Sequence, residues 1–290
     1  MELVQNVPFF CIMLSMFSGT VSSVLPGKWA RRINAVMLTA VTALSVWLLQ
    51  YLMVSRIGSY TYMMGHFPAP WGNELRIGVL EAGMALFFSV IMLLSILGGR
   101  KKLDDEVEGT KHNIYYILCN LLLSSLLALV YTNDLFTAYV FVEINTIAAC
   151  GLIMIRQNGR CIEAAVRYMI MSLLGSGLLL LGICMLYDLT GHLLMENIQQ
   201  QIAAIMEAGT YQVPMLITIG IMTVGLAIKS ALFPFHSWVP DAYGYATVSS
   251  GAILSSLVSK GYIFLLFKII YRVIGFDAFA HSHILGLLFL

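Results

Sequence analysis

Three charged residues stand where a hydrophobic chain should carry none: Glu143, Lys229 and Lys260 each sit well inside a long apolar run. A charge at the centre of a membrane helix costs roughly 2.5–3.5 kcal/mol on insertion scales. The three together oppose insertion by about 8–10 kcal/mol on that scale, a burden that calls for a partner, a hydrated cavity or a function. A carboxylate beside a lysine of another helix can take part in proton transfer, because each group's hold on a proton depends on the charge of the other. The competing reading is a buried ion pair that only ties helices together. One acid against two bases leaves an amine unmatched, which favours movement of protons or other small cations.

A second oddity adjoins Lys229. Residues 229–241 read KSALFPFHSWVPD. Pro234 and Pro240 donate no backbone hydrogen bond and break a helix. Irregular backbone at membrane depth is tolerated where it lines a cavity or is buried in protein. The segment reads either as an ordinary helix end with a loop histidine or as a broken helix lining a hydrated site. Its coincidence with Lys229, and the nearness of His236 and Asp241, tips the reading to the second.

The elements that must hold these residues follow from composition. Of 290 residues, 59% are hydrophobic and 11% charged, against about 25% charged in soluble domains. The mean hydropathy is +0.86. A span needs about 20 apolar residues. Runs that satisfy this, or nearly so, cover 4–27, 33–55, 82–99, 112–133, 135–155, 168–187, 215–235 and 247–270, and a ninth begins near 278 and is still apolar at Leu290. Without sustained alternation they predict helices rather than a barrel, and so an all-α integral membrane protein of eight to nine spans. Residues 193–208 carry Leu194, Ile198, Ile202 and Ile205 at helical spacing and predict an amphipathic surface helix. The stretch 100–111, RKKLDDEVEGTK, reads as a solvated loop.

Basic residues set an orientation. Lys28, Arg31, Arg32, Arg100, Lys101, Lys102, Lys111, Arg156, Arg160 and Arg167 fall in alternate loops. The opposite loops hold Arg56 and Arg76, with Lys268 and Arg272 after span eight as the discordant pair. The positive-inside bias puts the N-terminus outside. Five scattered cysteines form no CxxC and no His/Cys cluster. No metal, haem, iron–sulfur or nucleotide signature is present, so no cofactor is expected, and no basic surface awaits a nucleic acid.

Residues 225–242, GLAIKSALFPFHSWVPDA, closely resemble the GxxxKSAxFPFHxWLPDA signature of the antiporter-like subunits shared by respiratory complex I, membrane-bound hydrogenases and Mrp-type antiporters, with Val239 for Leu as the departure. Phe141-Val142-Glu143 is similar to the family's F-x-E, residues 248–262 to its next helix, and 163–168 (EAAVRY) to its (E/K)AAxKY motif, with Arg167 for Lys. Residues 67–72, FPAPWG, resemble an outer-loop element, although Glu81 stands downstream where Asp is usual.

The resemblance implies a fold of about fourteen helices with two inverted five-helix repeats, of which this chain carries the first. It assigns Glu143, Lys229 and Lys260 to the proton pathway, with His236 assisting, Pro234 and Pro240 at the helix break, and Asp241 and Arg167 in support. It divides the chain into a three-helix segment (1–113), the translocating repeat (114–272) and the start of a ninth span (273–290); the second half is cut away, supplied by a separate chain or absent from a degenerate half-channel, and the apolar end at Leu290 favours truncation. The expected setting is a bacterial or archaeal cytoplasmic membrane, with other membrane subunits and lipid as partners and protons, or Na⁺, as cargo. No catalytic residue is assigned. An enzyme binding quinone or flavin finds no ligands here, so any oxidoreductase activity belongs to the assembly. A purely structural subunit remains the third reading.

Overall fold

The computed structural model describes residues 2–56, 58–64, 67 and 72–275. Among them, eight helices are long and apolar enough to cross a membrane. The first six spans are α1 (Val7–Val24), α2 (Gly27–Ser55), α3 (Val79–Glu106), α4 (His112–Tyr131), α5 (Leu135–Met154) and α6 (Gly159–Thr190). The surface helix α7 (Met195–Ala208) follows, then span seven, α8 (Gln212–Ser230), and the short α9 (Val239–Tyr245). Span eight, α10 (Val248–Ile274), contains two π-helical stretches, Leu254–Val258 and Ile270–Ile274. The ninth run lies outside the described residues.

Local chemistry explains several boundaries. Asp134 caps α5 by accepting from the Thr137 N–H at 2.6 Å, and Thr247 caps α10 by accepting from the Ser250 N–H at 3.1 Å. Helices α6 and α7 stop at Gly191 and Gly209, both at positive φ, where glycine carries no Cβ penalty. On α7, Met195, Ile198 and Ile202 are buried, so its apolar stripe docks on the bundle as its spacing predicts.

Helix α4 forms the centre. From Leu122 to Tyr131 nearly every side chain is enclosed, packed among α1, α2, α3 and α5. Polar side chains join these helices: Asn34 of α2 donates to the Asn120 amide oxygen, and Asn120 donates to Ser18 of α1 at 3.3 Å. With no hydrophobic drive between helices in lipid, such bonds and close small-residue packing hold the bundle.

Three expectations need correction. Helix α3 continues through Arg100–Glu106, so most of the supposed loop 100–111 is helical. Asp104 there pairs with Arg31 of α2, and Leu103 beside it is buried against the bundle. Two strands appear that no sequence pattern announces: β1 (Ser59–Met63) and β2 (Glu74–Gly78) form an antiparallel hairpin pairing Ser59 with Gly78 and Met63 with Glu74. They lie between spans, where five-residue runs leave little pattern to read. Finally, Lys268 and Arg272 are not loop residues after span eight, because α10 runs to Ile274 and contains both, Lys268 buried and Arg272 half-buried.

Candidate functional site

Lys229 lies one residue from the end of α8, fully enclosed, with its side chain at 0% exposure. Its Nζ donates to Glu143 Oε1 of α5 at 3.2 Å and to Thr146 Oγ1 at 2.7 Å. Glu143 and Thr146 are three residues apart on one helix, so they share a face and meet the amine together. Tyr262 of α10 completes the surround: its ring centroid is 5.7 Å from the amine, within cation–π range. The Tyr262 hydroxyl donates to Asn145 Oδ1 at 3.1 Å and contacts Thr146 Oγ1 at 3.2 Å. Asn145 in turn donates to Ser125 of α4 at 3.1 Å. Charge and hydrogen-bonding groups thus run continuously across four helices.

The lysine stem is fixed by glycine. A Cβ on Gly175 of α6 would lie 2.8 Å from the Gly225 carbonyl oxygen and 3.0 Å from Lys229 Cγ, and a Cβ on Gly225 would meet the Gly175 carbonyl at 2.7 Å. Only two glycines permit this backbone approach, and it positions Lys229 against α6. Glu143 differs in being a quarter exposed.

The break after Lys229 arises differently from the expectation. Ala231, at φ 59, ends α8 before either proline is reached. Pro234 sits in the following turn, where the Phe233–Pro234 peptide is cis. Pro240 is in the first turn of α9, so it starts a helix rather than breaking one; that turn needs no donor from it. His236 is exposed and stacks on Phe233 with centroids 5.9 Å apart. Asp241 and Arg167 do meet: Arg167 donates to Asp241 Oδ2 and to Glu163 Oε1, both at 2.7 Å, joining α9 to α6.

Lys260 does not join Lys229. It is exposed on α10 and donates to the Ser255 carbonyl at 2.7 Å, within the first π-helical stretch. Its place in the apolar run predicts burial, but position in a run does not report which helix face a residue takes. Tyr262 and Ser125 escape sequence reading because neither is charged. Lys268 escapes because it lies near the end of its apolar run. Among the described residues, no group of three or more His, Cys, Asp or Glu side chains converges as a metal site requires.

Residues 132–289 match the family description NADH:quinone oxidoreductase/Mrp antiporter, transmembrane. The chain belongs to this family. Within the NADH:quinone oxidoreductase/Mrp antiporter family, it is 32% identical over 214 residues to NADH-quinone oxidoreductase subunit N of Desulforudis audaxviator, covering 74% of this chain and 42% of that protein. It is 26% identical over 227 residues to a Na⁺/H⁺ antiporter subunit of Bacillus subtilis, covering 78% of this chain and 44% of the relative. The chain therefore spans about two fifths of these relatives. The fold matches a chain of the Mrp complex from Dietzia (TM-score 0.84, 20% identity, 99% of this chain and 51% of that one). It also matches one of the membrane-bound sulfane sulfur reductase, an archaeal respiratory complex (TM-score 0.81, 22% identity, 97% and 56%). The family and the all-α membrane fold expected from residues 225–242 are thus those of the chain.

Proposed function

We infer that this chain is an ion-translocating membrane subunit of a multi-subunit assembly, with the proton as cargo and the Glu143–Lys229 pair as its working element. The observation that carries the reading is the enclosed Lys229 amine, 3.2 Å from a carboxylate of another helix and adjacent to a helix break. Moving two unit charges from about 6 to 4 Å apart changes their interaction by roughly 1.4 kcal/mol at an effective dielectric near 20. That is about one pKa unit, so a small displacement of Glu143 alters how firmly the amine holds its proton. Thr146 and Tyr262 supply hydroxyl groups through which the proton is relayed, and Asn145 orients the Tyr262 hydroxyl.

In this reading residues 114–272 form one five-helix translocating repeat. Lys260, whose amine bonds the Ser255 carbonyl and not the pair, is the next carrier in this reading, reached from Lys229 through water. His236 and the Arg167–Asp241 pair guard the approach from the end rich in Lys and Arg, which faces the cytoplasm. Electrons, if the assembly moves them, travel through other subunits.

Replacing Lys229 or Glu143 with Ala while the assembly stays intact should abolish proton movement in membrane vesicles. Unchanged movement would leave a purely structural subunit. Exchange of Na⁺ for H⁺ is the second reading. It is favoured by the likeness to the B. subtilis antiporter subunit and by the oxygen donors of Asn145 and Thr146 beside the pair. Dependence of transport on Na⁺ in the same vesicles separates the two.

A further inference from the structure

A second enclosed lysine lies at the opposite end of the bundle. Lys268 of α10 is 4% exposed, and its Nζ donates to the backbone carbonyls of Val130, at 2.8 Å, and Thr132. Both carbonyls belong to the end of α4, where the last turn leaves acceptors unsatisfied. Among the described residues, no carboxylate lies within ion-pairing distance of this amine.

The charged groups in electrostatic range are Glu81, Arg272 and Arg76. Glu81 of α3, itself 1% exposed, pairs with Arg272 at 2.5 Å. Arg76 of β2 pairs with Glu196 of α7, and Glu74 of β2 accepts from Asn133 at 2.8 Å. Burial, with Arg272 nearby, holds the Arg76 guanidinium below its ordinary value. Tyr131 of α4 lies near Glu81, and α8 carries no charged residue before Lys229. Glu81, Arg272, Arg76 and Glu196 line a cavity of about 1200 Å³ at the hairpin end. Lys268 lies one helical turn, about 6 Å, deeper than Arg272.

The bonding of Lys268 suits two protonation states. An ammonium has three N–H donors; a neutral amine has two and a lone pair. Two carbonyl acceptors are satisfied equally by either, so the proton can leave and return without breaking a hydrogen bond or an ion pair. Lys229 differs, since losing its proton would undo a pair.

We propose that Lys268 is a second proton-holding site of this chain, separate from the Glu143–Lys229 pair, which exchanges its proton with the hairpin-end cavity past Glu81 and Arg272. The proposal rests on the reading of the chain as a proton carrier. The alternative is a fixed cap on the end of α4, and the two come apart on Lys268→Arg. Arginine keeps the charge and the donors but does not release its proton.

The test measures proton movement in vesicles carrying the native assembly, alongside subunit content on native gels, for Lys268→Arg, Lys229→Arg and Glu81→Gln. The expected result is Lys268→Arg assembled at the wild-type level with transport reduced tenfold or more. Wild-type transport by Lys268→Arg overturns the proposal. If that variant does not assemble, Glu81→Gln decides. An acid shift of the transport–pH profile by half a unit or more supports the site, and a profile superimposable on wild type overturns it. Wild-type transport by Lys229→Arg instead sinks the proton-carrier reading itself, whatever Lys268 does.

Discussion

Lys229 and Lys268 are both enclosed amines inside spanning helices, and their surroundings are opposites. Lys229 faces a carboxylate that is a quarter exposed, beside a helix break, with hydroxyl groups leading away from it. Lys268 faces two peptide carbonyls, inside a helix that continues past it, with its nearest charges one layer further out. The first environment depends on side chains that can move. The second is built from backbone, which holds its acceptors still. A buried charge in a membrane protein is therefore informative only together with the atoms that receive it.

Substitutions can break this comparison, and the largest effect should fall on Lys268. Lys268→Met strands two enclosed carbonyls, at about 1–3 kcal/mol each, so the purified assembly should lose thermal stability by several degrees. Lys229→Met leaves a partly exposed carboxylate and a Thr146 hydroxyl that keeps its bond to the Val142 carbonyl, and should cost less stability while abolishing transport. If the two variants melt alike, the contrast fails.

Gly175→Ala should come next. Its Cβ would meet the Gly225 carbonyl and the Lys229 stem, and such overpacking costs roughly 1–3 kcal/mol. Transport should fall with it, whereas Gly177→Ala on the same helix, with no neighbour within 4 Å of its Cβ, should be silent in both assays. Thr146→Val keeps the shape but removes the 2.7 Å acceptor of Lys229. A loss of about 1 kcal/mol is expected in thermal unfolding, with transport reduced severalfold. Ala231→Gly should have the smallest effect and the opposite sign. Its left-handed backbone suits glycine, so a gain of up to about 1 kcal/mol in stability is expected.

How much of the molecule is legible in one dimension varies with the physics. Apolar runs locate all eight described spans, because burying polar backbone in lipid forces long helices. Glu143 and Lys229 announce themselves as charges in such runs, and the amphipathic helix by its spacing. Helix faces are harder. Lys260 and Lys229 look alike along the chain, yet one is exposed and the other enclosed. The prolines after Lys229 look like the end of α8, but Ala231 ends it, since a positive φ leaves no mark in a residue of ordinary type. The hairpin and Lys268 are hidden together, because short strands and a basic residue near a span's end resemble any loop.

The contact between Gly175 and Gly225 has a mechanical corollary. Two backbones pressed this tightly cannot slide past one another, so α6 and α8 behave as a single stiff post with the Lys229 amine mounted on it. In the reading proposed above, a change in the gap to Glu143 is then taken up by α5, whose Phe136, Val140 and Ile147 face outward.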